Sequence, residues 1–332
     1  MQDYYLGIDI GGSSIKAGIV TGEGTRLAAR SAPSALEHGL DEGLANLDTI
    51  VRELLEESGA QLKDLRGIGV AAPGTMDIPR GIVFHPFNLP GWENLPLRDL
   101  ISKRYGRPAV LQNDANAAAL GEYWLGAAHG AHSLMFWTLG TGVGGGIVIG
   151  GRVIEGAHSH AGECGHMILQ MDGGPRSEFG IHGSLELYAG GRALVRRGEA
   201  ALASGRVSTL RKCVAAGQSL TPLLIGQAAE EGDPLALELV CDTARYLARG
   251  TVNIMHILNP ELVLIGGAMT FGQSQTALGR RFLEEVREEV KRWAFPIPAT
   301  RTRIDYATLG NDAGYVGAAA CARAAFGPSA AD

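Results

Sequence analysis

The chain has 332 residues, 45% of them hydrophobic and 19% charged, and its 29 Lys and Arg against 35 Asp and Glu leave a net charge of -6. Such a composition excludes a disordered or fibrous chain, and the absence of any Lys and Arg stripe excludes nucleic acid as a partner. The start, Met1-Gln2-Asp3-Tyr4-Tyr5, lacks a basic and then apolar leader, and no stretch of 18 or more apolar residues follows, so we expect a cytoplasmic protein with no membrane partner. Length allows two domains with real cores. Cys164, Cys213, Cys241 and Cys321 stand far apart with no CxxC and read as reduced thiols. Glycine is the outlier: 48 residues, where average usage predicts roughly 23.

In chain order, Tyr4–Ile10, the turn Gly11-Gly12-Ser13-Ser14 and Ile15–Val20 predict a hairpin with a glycine-rich tip. Leu44, Leu47, Val51, Leu54 and Leu55 recur at helical spacing within Asp41–Ser58, and Gly59 stands where a C-terminal cap belongs. An apolar strand ends at Asn113-Asp114, and the alanine run after it continues as a helix. A second strand, turn and strand follows: Leu134–Thr138, the stretch from Leu139 to Gly145, and Gly146–Ile149, with seven glycines between Gly140 and Gly151. Residues 196–232 are polar and without strong periodicity. Asp233-Pro234 opens a helix with an apolar face of Leu235, Leu239, Leu247 and Ile254, which reaches Asn259-Pro260. The buried strand Leu262–Ile265 then ends at Gly266-Gly267, and residues 327–332 read as a frayed tail. Two copies of the glycine hairpin among alternating strands and helices predict an α/β protein with mixed sheets, its two similar halves facing one cleft.

Asp9 ends a strand beside the bare turn Gly11-Gly12-Ser13-Ser14, followed by Lys16. Turn amides and hydroxyls suit phosphate oxygens, and the carboxylate suits magnesium or its waters. Gly140-Thr141-Gly142 and Gly266-Gly267 repeat that design, so a nucleotide is expected between the halves. Asp114 stands at a strand's carboxyl end, where α/β ligand sites form, and is our candidate general base for transfer to an alcohol; capping of the helix is the alternative. Glu163, His166 and Glu186 lie in glycine-rich loops and suit the directional hydrogen bonds of a polyol. Zinc at His158, His160, Cys164 and His166 lacks the nearby cysteine pair that would complete a tetrahedron.

As a set, Asp9-Ile-Gly-Gly-Ser-Ser-Ile-Lys16, Asn113-Asp-Ala-Asn-Ala-Ala-Ala119, Gly140-Thr-Gly-Val-Gly-Gly-Gly146, Ala161-Gly-Glu-Cys-Gly-His166 and Asn259-Pro-Glu-Leu-Val-Leu-Ile-Gly-Gly267 resemble the repressor, open reading frame, kinase (ROK) family of sugar kinases. The resemblance runs in order along almost the whole chain. It implies an actin-like ATPase (ribonuclease H-like) fold of two α/β lobes around a central cleft, which we place at residues 1–118, completed by helix 312–326, and 119–311. It also implies ATP and Mg2+, a hexose phosphorylated at its 6-hydroxyl with glucose favoured, and a homodimer. On the family pattern Asp114 matches the base, while Gly74, Asn88, Asn113, Glu163, His166 and Glu186 match sugar-binding positions.

Many family members hold a structural zinc with three cysteines of CxCGxxGCxE and the histidine of ExGH. Here the matching stretch carries Ser177, Phe179 and Ser184 in place of the cysteines, while Glu186 is kept. We therefore expect no zinc, with the loop held through apolar packing of Phe179 and Ile181. Fructose, mannose, allose, N-acetylmannosamine and N-acetylglucosamine stay open as acceptors, and polyphosphate as a donor. The family's repressors suggest a second class, a sugar-responsive regulator. Only eight residues precede Asp9, so we expect no DNA-reading domain and favour the kinase; a non-catalytic sugar-binding protein is a third reading.

Overall fold

A computed structural model describes residues 2–35, 39–86, 89–178 and 180–328. The elements begin with β1 (Tyr4–Ile10), β2 (Ser14–Thr21), β3 (Arg26–Pro33), α1 (Leu40–Ser58), β4 (Leu65–Ala72), β5 (Thr75–Asp77), β6 (Ile82–His85), α2 (Leu97–Tyr105), β7 (Ala109–Asn113) and α3 (Asp114–Leu125). They continue with β8 (Ser133–Leu139), β9 (Val143–Ile149), β10 (Arg152–Val153), α4 (Glu186–Ala189), α5 (Gly191–Ala203), α6 (Leu210–Ala215), α7 (Pro222–Glu230) and α8 (Pro234–Leu258). Last come β11 (Leu262–Gly266), α9 (Ala277–Trp293), α10 (Pro296–Arg301), β12 (Arg303–Tyr306) and α11 (Ala313–Phe326). They form two compact units, one of Met1–His132, Gly146–Gly162 and Thr308–Asp332, the other of Ser133–Gly145 and Glu163–Ala307. Among the described residues no helix is long and apolar enough to cross a membrane.

The first unit is built on a mixed sheet ordered β3-β2-β1-β4-β7. Alternation along β1 divides its faces. Leu6, Ile8 and Ile10 join the core that includes Leu47 and Leu54 of α1, whereas Tyr5 joins Tyr315, Val316 and Ala319 of α11. Gly7 shares the Tyr5 face, and a Cβ there would fall on the carbonyl of Tyr315. Helix α11 also packs on α3: a Cβ on Gly317 would fall on the carbonyl of Ala117, and Ala71, Ala117 and Ala318 form one buried cluster. This contact keeps α3 with the first unit over its full length. Part of the glycine surplus therefore serves backbone-to-helix approach in this unit rather than turns.

In the second unit β8, β11 and β12 run parallel, with Gly266 beside Thr138 and Leu262 beside Arg303. β11 is buried throughout, and the indole of Trp137 donates to Thr251 Oγ1 at 3.0 Å to fasten α8. Asp233 caps α8 as expected by accepting from Ala236 N–H, and Gly59 ends α1 in the left-handed conformation. The polar stretch 196–232 carries most of α5 together with α6 and α7. Asp233 is one of its links to α8 and also accepts from Ser208 Oγ and from Thr209 N–H and Oγ1, while Arg197 donates to Thr243 and Arg206 to Glu238.

The second hairpin corrects its expected boundary: β9 begins at Val143, so the open tip is Gly140-Thr141-Gly142. Gly144 to Gly146 are strand residues. A Cβ on Gly146 would stand 2.7 Å from the Ala115 carbonyl oxygen and 2.7 Å from Ala119 Cβ, so helix packing explains that glycine.

Candidate active site

Asp9 is the penultimate residue of β1, opposite Lys16 in the antiparallel register. Burial pushes its carboxyl up to about 6, against a downward pull from Lys16. Gly314 of α11 lies against this carboxyl with no room for a Cβ. The neighbouring tip is cross-tied by Gly11 N–H to Ser14 O at 2.9 Å and by Ser34 Oγ to Gly12 O at 2.9 Å, with Gly12 and Ser13 exposed. One carboxylate beside exposed amides and hydroxyls fits Mg2+, which usually keeps several waters and leans on substrate phosphates.

At the end of β7 the side chain of Asn113, not Asp114, caps α3 by accepting from Ala115 and Asn116 N–H. The alternative of Asp114 as the cap is thereby met by its neighbour. Asp114 Oδ1 accepts from the Ala115 amide at 2.9 Å, which orients the carboxyl at the first turn of the helix. Sequence reading missed Gln112, which is buried and bonded to Glu155, and Glu122, fully buried and accepting from Thr308, Leu309 and Ala127 N–H. Their partners lie 43 and up to 187 residues away, so no local pattern announces them. Gly74 holds φ 94° and its Cβ position falls 2.5 Å from the His85 carbonyl oxygen, so the turn before β5 requires glycine. Asn88 lies outside the described residues.

Val143 touches two of the second unit's expected site segments. Its N–H donates to Glu186 Oε2 at 3.0 Å, and its carbonyl sits where a Cβ of Gly165 would go. The short turn Cys164–His166 and the first residue of α4 thus meet the tip Gly140-Thr141-Gly142 at one residue. Gly191 and Arg192 N–H, at the start of α5, donate to the carbonyls of Gly140 and Thr141 at 2.9 and 3.1 Å, so the tip is held from the helix side too. Gly266-Gly267 joins the same region: Gly267 has φ 93°, its Cβ position lies 2.6 Å from Leu139 N, and Met269 N–H donates to Leu139 O. His166 Nε2 lies 3.8 Å from Glu163 Oε2.

The described residues between 167 and 185 are held in part by hydrogen bonds. Backbone pairs join Ile168 with Ser184 and Arg176 with His182, and Ser177 Oγ accepts from Ile181 N–H at 3.1 Å. Serine can accept from backbone amides directly, and Ser177 does so here. Ile181 is only half-buried, and Phe179 lies outside the described residues. With Ser177 engaged in this way and burial, then Glu163, pushing the Cys164 thiol up to about 11, these residues do not fit zinc. Among the described residues no three His, Cys, Asp or Glu side chains gather as a metal-holding group.

The ROK family model matches residues 5–325. The chain belongs to the ROK family. A glucokinase of Halalkalibacterium halodurans is 33% identical over 95% of this chain and 93% of its own. A putative xylose repressor of Caldicellulosiruptor is 31% identical over 95% of this chain and 77% of its own. Among solved structures, a ROK family glucokinase from Streptomyces griseus in complex with glucose and AMPPNP superposes with a TM-score of 0.78, at 32% identity over 97% of this chain and 99% of that one. As a ROK member the chain has the actin-like ATPase fold.

Proposed function

We propose that this ROK-family chain is a hexokinase that transfers the γ-phosphoryl group of ATP to the 6-hydroxyl of a hexose, glucose being favoured. That it is an ATP-dependent sugar kinase rests on the glucokinase relatives and on the glucose and AMPPNP complex of the Streptomyces griseus protein. The observation that carries the assignment of roles is Asp114 directly after β7, as the first residue of α3, with the helix cap supplied by Asn113. A carboxylate oriented by the Ala115 amide at the first turn of α3 is suited to accept the proton of the attacking hydroxyl. The hydroxyl oxygen bonds to the γ-phosphorus, the bond to the β-γ bridging oxygen breaks, and ADP leaves with its electron pair.

Glu163, His166 and Glu186, in or beside the two segments that touch Val143, are assigned to the sugar hydroxyls together with Asn113, Gly74 and Asn88. The turns at Gly11-Gly12-Ser13-Ser14, Gly140-Thr141-Gly142 and Gly266-Gly267, with Lys16, are assigned to the phosphates. Asp9 would hold Mg2+ through water, and the ion when bound neutralises phosphate charge. A homodimer without zinc completes the proposal. The second reading, a sugar-binding regulator, draws support from the similarity to the putative xylose repressor.

A coupled ADP-release assay over hexoses and N-acetylhexosamines, run with ATP and with polyphosphate, tests the whole assignment. Glucose-dependent ADP release supports it. Sugar binding with no consumption of either donor moves the protein to the regulator class.

A further inference from the structure

We propose that Gln112, clamped by Glu155, is a positioning residue for the catalytic end of β7, an inference that rests on Asp114 being the base. Gln112 is 3% exposed, and a buried primary amide must find partners for both its donors and its acceptor. Its Nε2 donates to Glu155 Oε1 at 2.7 Å. Its Oε1 accepts from Asn113 N–H at 2.9 Å and from Asn116 Nδ2 at 3.3 Å.

β7 is the edge strand of its sheet, so no further strand is there to receive the Asn113 amide. The Gln112 side chain receives it instead. Asn113 in turn caps α3 at Ala115 and Asn116, so the residues on both sides of Asp114 are fixed through one side chain. Glu155 is itself anchored, its carbonyl accepting from Ala161 N–H at 3.0 Å. An ionised glutamate only accepts, so the residue facing it must donate; glutamine does that with Nε2 while keeping Oε1 for the strand end.

This logic predicts an outcome that a general packing role would not produce. In Gln112→Glu the amide donor to Glu155 is lost and two carboxyl groups face each other. Adding Glu155→Gln restores the match in reverse: the carboxylate at position 112 still accepts from Asn113 and Asn116, and the amide at position 155 donates.

The test measures kcat and KM for hexose and ATP in the full chain, with amide hydrogen exchange of the segment 109–118 as a readout that needs no activity. Gln112→Glu should lower kcat on the order of tenfold or more, with the ATP KM moving less than about threefold, because a displaced base affects the chemical step. Exchange in the segment should quicken. The double variant should regain kcat to within about threefold of wild type and slow the exchange again. If Gln112→Glu does not fold, Gln112→Met, of similar volume, with no donor and only a weakly accepting sulfur, should give the same loss of kcat and the same faster exchange. Wild-type kcat and exchange in the single variant, or a double variant as impaired as the single, would overturn the clamp. Should the wild-type protein phosphorylate no sugar, the kinase reading fails separately, and unchanged exchange across the variants would still overturn the clamp.

Discussion

The carboxylate of Glu186 rests directly on Gly142, in the space a Cβ would need, and accepts the next residue's N–H at 3.0 Å. A residue assigned to the sugar and a turn assigned to phosphate therefore share one contact. Gly142→Ala should push Glu186 away and raise the hexose KM on the order of tenfold, since small displacements of positioning groups carry large kinetic penalties. Steady-state kinetics with varied hexose check this; an unchanged KM would separate Glu186 from sugar binding.

Gly317 tests the second use of glycine. Its Cα lies against the Ala117 carbonyl where α11 crosses α3. Gly317→Ala forces the two helices apart and should destabilise the protein by about 1–3 kcal/mol, as overpacking of a close contact does. Denaturant unfolding measures it, and a loss well below 1 kcal/mol would mean that the contact relaxes freely.

Asp233 gives a pH signature. Burial raises its pKa, but the hydrogen bonds from Ala236, Thr209 and Ser208 outweigh this and hold the carboxyl below its ordinary value. A depressed folded-state pKa contributes stability that is present above the unfolded pKa, near 3.9, and is lost as pH falls through the folded value. Asp233→Ala should therefore cost about 1–2 kcal/mol at pH 7. The difference from wild type should narrow below pH 4; a pH-independent difference would contradict the carboxylate's role.

Ser177 decides how the loop after His166 is held. Its Oγ takes the Ile181 amide, so Ser177→Ala should lower stability by about 1 kcal/mol. Elemental analysis of purified wild-type protein should find no stoichiometric zinc, and one zinc per chain would overturn the hydrogen-bonded account.

Much of this was legible in the sequence because the signals were local. Alternation and a glycine tip marked the β1 and β2 hairpin, Gly59 marked the end of α1, and Asp233-Pro234 marked the start of α8. The glycine run after Gly142 misled because a glycine needed for close helix packing and one needed for a turn are the same letter, and Gly146 is the former. The helices within 196–232 are short and packed mainly by tertiary contacts, so periodicity was weak there. Asp114 could be placed from the strand and helix pattern, but the identity of the cap could not, since Asn113 and Asp114 are both good caps. Gln112, Glu122 and Val143 act through partners distant in sequence, and only the fold brings those partners together.

The central claim is that Asp114 takes the proton of a hexose hydroxyl during transfer from ATP. Glucose-dependent ADP release by wild type and by Asp114→Asn, with sugar affinity measured by calorimetry on both, tests it most directly. The account predicts sugar affinity within a few-fold of wild type and turnover lower by on the order of a hundredfold or more. Near-normal turnover in Asp114→Asn would contradict it.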